Sequence, residues 1–336
     1  MSIAQIVNRM LQLIPVVIGV TLIVFALMHL TPGDPVRLML GQEGTYTEED
    51  VARYRRELGL DQPLPVQYLS FLKGVARGDF GVSLVQGRPV GELIRARLPA
   101  TIELTAAAIL ISLIIAIPTG VIAAVHRHSA WDKAGTVGAL LGVSMPDFWF
   151  GLVLILVFGI SLGVLPISGR IPFGMEPQAV TGLYVVDAIV TGNGPALAAA
   201  LRHLFLPALT LGTSMAALTM RVTRSAMLEV IRQDYITFAR AKGLSGTRVV
   251  VVHALKNALI PTVTVVTLNV GVLLGGNMIV ESVFAWPGLG RLVVESVYSR
   301  DYTVVQAAVL IYAVTYVVMN FLADVLYTLL NPRVRF

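Results

Sequence analysis

Residues 233–261 read QDYITFARAKGLSGTRVVVVHALKNALIP. Gly243 stands where the residue after a helix C-cap should stand, because glycine takes the left-handed conformation without a Cβ penalty. Lys242 before it suits the negative end of a helix dipole. Ser245 after it is a residue type that N-caps a following helix. Two helices are therefore expected to meet here at a sharp corner. The stretch is polar and basic, yet the apolar runs flanking it, 204–222 and 258–281, are each long enough to cross a bilayer, for which about 20 residues suffice. A charged, structured corner held between two spans fixes the class as an all-α membrane protein with a folded polar segment outside the bilayer.

Moving outward, six apolar stretches qualify as spans: 10–30, 102–125, 134–160, 204–222, 258–281 and 303–329. The third contains Pro146 and Asp147; at about 1.5 Å per residue it reaches about 40 Å and reads as one tilted or kinked helix. A further candidate, 183–201, is interrupted by Asp187 and by TGNGP at 191–195, and reads as an interfacial or extracellular piece. Composition agrees: 56% of the 336 residues are hydrophobic and 13% charged, against about 25% charged in soluble domains.

Six spans place both termini on one side. With the termini inside, the inner segments hold eleven basic and three acidic residues, and the outer ones thirteen of each. The positive-inside rule then puts both termini in the cytoplasm. The first span lacks an A-x-A site after it and is too long for a cleaved signal, so it reads as a retained anchor. The chain divides into residues 1–30, an N-terminal segment with the first span; 31–98, an outer helical domain; 99–332, a five-helix core that includes the polar loop 224–257; and 333–336, a cytoplasmic tail. The outer domain carries nine basic and nine acidic residues, with helices expected at 47–58, 64–78 and 89–98. It reads either as a cap on the outer mouth or as a docking surface.

The residues argue against covalent chemistry in this chain. There is no cysteine, and no GxxxxGK[ST], HExxH, CxxC or EF-hand spacing. His126-x-His128 has a metal-ligand spacing but sits in a cation-rich loop and reads as solvated. Four acids fall in or near spans: Glu103, Asp147, Glu281 and Asp324. Glu103 and Glu281 lie near outer ends, where the cost of burial should be small. Asp147 follows Pro146 and either satisfies freed backbone groups or faces a polar cargo. The fifth span is rich in Thr, Asn and Gly, which marks a tight helix–helix contact or a polar path. On the path reading, Asp147, Thr267, Asn269 and Asn277 line it. Within 226–242, Leu228, Ile231, Tyr235 and Phe238 recur at helical spacing. That pattern suits a partner groove or lipid headgroups; a basic helix pair tethered between two spans does not suit nucleic acid.

The opening stretch resembles the cytoplasmic coupling loop of ABC importer permeases, EAA-x3-G-x9-I-x-L-P. Aligned on Gly243, Ala239 and Leu255 also match, while Thr237, Phe238, His253 and Lys256 stand at the other defined positions and the proline comes later, at Pro261. The local form is closer to the dipeptide and oligopeptide permeases. HLTPGDP (29–35), GDFGVS (78–83), AWPGLGRL (285–292) and NPRVR (331–335) look like the same subgroup. The resemblance implies a type I ABC importer permease fold with six transmembrane helices and a small periplasmic helical domain in a bacterial inner membrane. It implies a second homologous permease, two cytoplasmic ATP-binding subunits that hold ATP and Mg, and a periplasmic substrate-binding protein, with alternating access as the mechanism. The cargo implied is a di- or oligopeptide, with nickel or glutathione as the alternative. Asp234, Tyr235, Phe238, Ala239, Arg240, Ala241, Lys242 and Gly243 would form the ATPase-coupling element. An ion-coupled secondary transporter would need a relay of deep acids, and those present are few and dispersed.

Overall fold

The computed structural model describes residues 3–30, 36, 47–57 and 59–330. The motif NPRVR, the tail 333–336 and the TPGDP part of 29–35 lie outside the described residues, as does position 58 of the expected helix 47–58. Among the described residues the regular structure is helical, with one isolated bridge between Val82 and Pro89.

In chain order the helices are α1 (Ile3–Leu30), α2 (Glu48–Glu57), α3 (Leu64–Ala76), α4 (Val90–Val125), α5 (Ala130–Ser144), α6 (Asp147–Leu154), α7 (Tyr184–Val190), α8 (Gly194–Val230), α9 (Asp234–Ala241), α10 (Gly246–Leu274), α11 (Met278–Val283), α12 (Leu289–Tyr298) and α13 (Tyr302–Leu330). Four of them, α4, α8, α10 and α13, are long and apolar enough to cross a membrane, or five spans result if α5 and α6 count as one broken span. Within α1 the apolar stretch found among the described residues, Ile14–Ala26, is shorter than these.

Several expectations change. The stretch 134–160 is not one kinked helix: α5 and α6 meet at 103°. Pro146 supplies the reason, since it excludes the helical region for the residue before it, and Met145 is extended at φ −85°, ψ 127°. The expected outer helix 89–98 and the span after it are one helix of 36 residues, so the boundary drawn at 98/99 falls inside α4. Pro99 and Pro118 are accommodated within it, as neighbouring helices permit in membranes. The broken stretch 183–201 is α7 followed by the first turns of α8, a 37-residue helix that Asn193 caps through its side chain. The fifth span ends early, at Leu274.

The long helices α4 and α8 pack along each other at the centre. A Cβ on Gly212 would come 2.8 Å from the Ala108 carbonyl oxygen, so the backbones touch where glycine leaves room. α10 packs on α8 and α13, while α1 lies against α13. The main core, with Leu104, Leu206, Phe284 and Trp286, joins α4, α6, α8 and the α11–α12 region.

The segment before α8 is tied down by a buried acid. Asp187, fully buried, accepts from the Thr181 hydroxyl (2.6 Å) and from the backbone N–H groups of Thr181 and Gly182. Burial pushes its carboxyl up, but these bonds outweigh it and hold the pKa below the usual 3.8. A depressed folded pKa contributes stability that is complete above the unfolded value and is lost as pH falls through the folded one. This loop should therefore stay closed at every pH above about 4. Asp187→Ala should cost protection of the Thr181 and Gly182 amides by about tenfold or more in hydrogen exchange, the equivalent of one lost charged hydrogen bond; unchanged protection would mean the carboxylate does not organise the loop.

Candidate functional site

The corner at Gly243 forms as expected. Gly243 has φ 76°. Its N–H reaches the Arg240 carbonyl (2.9 Å), and Leu244 N–H reaches the Ala239 carbonyl (3.4 Å), the paired bonds of a Schellman cap. Ala239 and Leu244 share a cluster with Ile236, Met227, Ala124, Val249, Ala254 and Ala258, which seats α9 on the adjoining ends of α4, α8 and α10. Ser245 holds the N-cap position of α10, but its side chain makes no capping bond.

The expected apolar stripe does not exist as one face. The chain turns at 231–233, so α8 and α9 are separate helices. Ile236 and Ala239 are the residues that α9 buries, while Tyr235 and Phe238 are 42% and 61% exposed. Asp234, Arg240, Ala241, Lys242 and Gly243 are exposed as well. The Lys242 ammonium lies 4.5 Å from the centre of the Phe238 ring, a cation–π arrangement. Asn257 donates to the Tyr235 hydroxyl (2.7 Å), which itself reaches the His253 carbonyl (3.4 Å). His253 belongs to a π-helical stretch of α10, Val249–Ala254. Two exposed aromatics on a short helix with a packed inner face form a knob suited to a groove on another protein.

The start of α5 is fastened to α8. Arg224 of α8 clamps Asp132 through two bonds, 2.6 and 2.9 Å, and the same carboxylate accepts from His128 N–H (2.9 Å). Among the described residues no cluster of three or more His, Cys, Asp or Glu could hold a metal ion.

The four residues read as lining a path are distributed differently. Thr267 is buried and its hydroxyl donates to the Val263 carbonyl of its own helix (2.8 Å). Asn269, two residues on and so about 200° round the helix, is half-buried. Asn277 is not in the span: it caps α11, accepting from Val280 N–H (3.0 Å). Asp147 is half-buried at the α5–α6 corner, beside the Ser214 hydroxyl of α8. α6 and α11 pack together, so Asp147 and Asn277 start adjacent helices, while Thr267 and Asn269 sit on α10. The glycines of this region serve packing: a Cβ on Gly275 would overlap the Tyr312 ring, and one on Gly271 would lie 3.0 Å from Met319. Gly275→Leu should therefore lower the thermal midpoint of the detergent-purified protein, by the 1–3 kcal/mol or so typical of overpacking. Recovery by Tyr312→Ala in the same chain would confirm the contact, and an unchanged midpoint in the single variant would refute it.

Sequence reasoning missed two buried knots because it placed Glu103 and Glu281 at inexpensive depths. Glu103 is 7% exposed and paired with Arg170 at 2.7 Å; it also accepts from Val185 N–H (2.7 Å). The Arg170 guanidinium donates to the Gly182 carbonyl and lies 3.7 Å from the centre of the Tyr184 ring. Glu281, fully buried, accepts from the Thr101 hydroxyl (3.0 Å) and Arg291 N–H (2.9 Å). The motif AWPGLGRL is what closes round it: Trp286 Nε1 donates to the Ala100 carbonyl, Leu289 N–H to the Thr101 hydroxyl, and a Cβ on Gly288 would sit 2.5 Å from the Glu281 carboxyl. GDFGVS is likewise structural, with the Ser83 hydroxyl donating to Asp301 at the start of α13. The signal in the sequence was the pairing of an acid in each span with a Gly-rich motif, but the partners are as much as 180 positions apart.

Comparison with known proteins agrees with this geometry. Residues 116–336 match the family described as binding-protein-dependent transport system inner membrane component, and residues 2–105 match the N-terminal part of such membrane components. The chain is 44% identical over 333 residues to the dipeptide transport system permease protein DppB of Escherichia coli (strain K12), covering 98% of each. It is 45% identical over 330 residues to the di/tripeptide transport system permease protein DppB of Pseudomonas aeruginosa (strain UCBPP-PA14), again 98% of each. To the glutathione transport system permease protein GsiC of Salmonella choleraesuis (strain SC-B67) it is 40% identical over 331 residues, 98% of each. Among solved structures, the inward-facing MetNI methionine ABC transporter aligns with a TM-score of 0.51 at 20% identity, over 71% of this chain and 96% of that one.

Proposed function

This chain belongs to the binding-protein-dependent transport system inner membrane components, and from that premise we propose that it is the dipeptide-translocating permease subunit of an ATP-driven importer. It is a translocation subunit, not an enzyme; ATP and Mg belong to partner subunits. The observation that carries the reading is end-to-end similarity to dipeptide permeases, 98% of both chains. The coupling corner supports it independently, with Tyr235 and Phe238 exposed on a helix whose other face is packed. α4, the broken α5–α6 pair, α8, α10 and α13, together with α1, give six spans with both termini in the cytoplasm. A second permease of the same family completes the path, two ATP-binding subunits receive α9, and a periplasmic binding protein delivers cargo to the outer segment 31–98. Asp147, Thr267, Asn269 and Asn277 remain the residues proposed to face the cargo.

Glutathione is the second cargo the reading allows, since a permease named for it is 40% identical over the same span. Uptake of labelled dialanine and of glutathione by proteoliposomes holding the whole complex separates them. Dipeptide uptake that needs ATP supports the proposal, and glutathione uptake alone overturns the substrate. Phe238→Ala should leave insertion intact and reduce co-elution of the ATPase subunits at least tenfold, as loss of an interface aromatic anchor does; undiminished co-elution would mean that α9 is not the docking element. Orientation is tested with single cysteines at Gln86 and Ser245, both exposed; Ser83 is buried and unsuited. A membrane-impermeant reagent should label position 86 in intact cells and position 245 only after lysis, and the reverse pattern would invert the topology.

A further inference from the structure

The corner between α5 and α6 is seated on the middle of α8. On one side of it a Cβ on Gly142 would lie 3.0 Å from Ala217, and on the other a Cβ on Gly151 would lie 3.5 Å from Thr210 and 3.0 Å from Phe284. Asp147, the first residue of α6, falls between these contacts and faces the Ser214 hydroxyl. At about 1.5 Å per residue, Ser214 stands about 30 Å from the first residue of α8 and about 24 Å from the last. It is also next to the centre of the apolar stretch 204–222. The Asp147 carboxylate is therefore near the middle of a hydrocarbon layer about 30 Å thick. An ionised group is costly at that depth, and one that is kept there serves a pathway or answers an opposite charge.

Other buried acids of this chain have their partners. Glu103 has Arg170, Asp132 has Arg224, and Glu281 is enclosed by the Thr101 hydroxyl and backbone N–H groups. Asp147 has one hydroxyl beside it and, among the described residues, no cation. It is half-buried, so part of the carboxylate stays accessible. Phe148 and Trp149, which follow it, are 43% and 48% exposed and offer ring faces of the kind that attract an ammonium group. No group of three His, Asp or Glu able to hold a metal forms among the described residues, so the cation that suits this place is organic. A break in a span at mid-depth is where transporters place their cargo, and a dipeptide brings the missing charge. Its ammonium has three donors for the adjacent carboxylate and hydroxyl acceptors, whereas its own carboxylate is repelled there. We propose that the Asp147 carboxylate receives the N-terminal ammonium of the peptide midway across the bilayer, so that it fixes which end of the peptide lies at the α5–α6 corner and restricts the path to cargo with a free amino terminus. The inference rests on the peptide-importer reading and assigns one chemical role within it.

The test uses the whole importer complex in proteoliposomes supplied with ATP. Asp147→Asn keeps the size of the side chain and removes its charge. It should assemble with the second permease and lower uptake of labelled dialanine at least tenfold, while Asp147→Glu should keep most of the uptake. Normal uptake by Asp147→Asn overturns the proposal. Loss of the second permease from that variant also overturns it, because the carboxylate would then pair with that subunit. Contact is read directly on the wild type with two dipeptides that carry a diazirine side chain, photoleucyl-alanine and alanyl-photoleucine, irradiated during turnover. The first should cross-link within residues 145–152 at least fivefold more than the second. The reverse preference, or no cross-link there from either, overturns the assignment. This arm needs no variant and stays decisive if Asp147→Asn fails to fold. Failure of the importer reading would show separately, as wild-type complex that takes up no dialanine with ATP.

Discussion

Gly243→Val is expected to insert normally and transport nothing. At φ 76° a β-branched residue is strained. The Cβ itself meets no neighbour within 4 Å, so the whole cost lies in the backbone. The residue can relax only by leaving the left-handed region, which breaks the two cap bonds from Gly243 and Leu244 and rotates α9 away from its seat. The spans satisfy their own hydrogen bonds and need not respond. ATP hydrolysis, ATPase co-elution and peptide uptake measured on one reconstituted preparation decide the matter: uptake should fall at least 100-fold. Asp234→Ala should be mild, because the Asp234 side chain is exposed and the corner survives. Normal uptake by Gly243→Val would remove the coupling role from this segment.

The second large effect is structural. Glu103→Ala leaves the Arg170 guanidinium buried, 7% exposed, with its countercharge gone. Breaking one side of a buried pair typically costs about 3–5 kcal/mol. The thermal midpoint and the yield of assembled complex should both drop sharply, and the segment carrying Gly182 and Val185 should loosen with them, since Glu103 and Arg170 hold both. Glu103→Leu combined with Arg170→Met should recover most of the loss, because two apolar side chains leave no orphaned charge. A single variant as stable as wild type, or a double variant worse than either single, would show that the pair is not what fastens the loop.

These two cases mark how far the sequence could be read. Gly243 was legible because handedness and helix termination are local rules, obeyed within a few residues of the position they govern. The class of fold was legible because twenty apolar residues in succession announce a span wherever they occur. The 103° corner was half visible: Pro146 told of a break, but the angle depends on α8 and α11, against which α6 packs. The continuous α4 was hidden because Pro99 and a change in charge imitate a boundary that tertiary packing overrides. Tyr235 and Phe238 were assigned to the coupling element, but the apolar face they seemed to share was not real. Helical periodicity carried across the turn at 231–233 misplaces every residue after it. The pairing of Glu103 with Arg170 and the bond from Thr101 to Glu281 rest on contacts between distant parts of the chain, for which a single sequence holds no geometric information.

The length of α8 has a mechanical consequence. One helix runs from the Asn193 cap to Val230, with three residues between it and α9. At about 1.5 Å per residue it spans about 55 Å. A beam of that length, pivoting about its middle by about 5°, moves each end by roughly 2–3 Å in opposite directions, a shift of the size at which packed helices exchange one set of contacts for another. On the proposed orientation, a small rocking at α9 would reach the far end of α8 reversed in sign, which is the geometry of a device that closes one mouth as it opens the other.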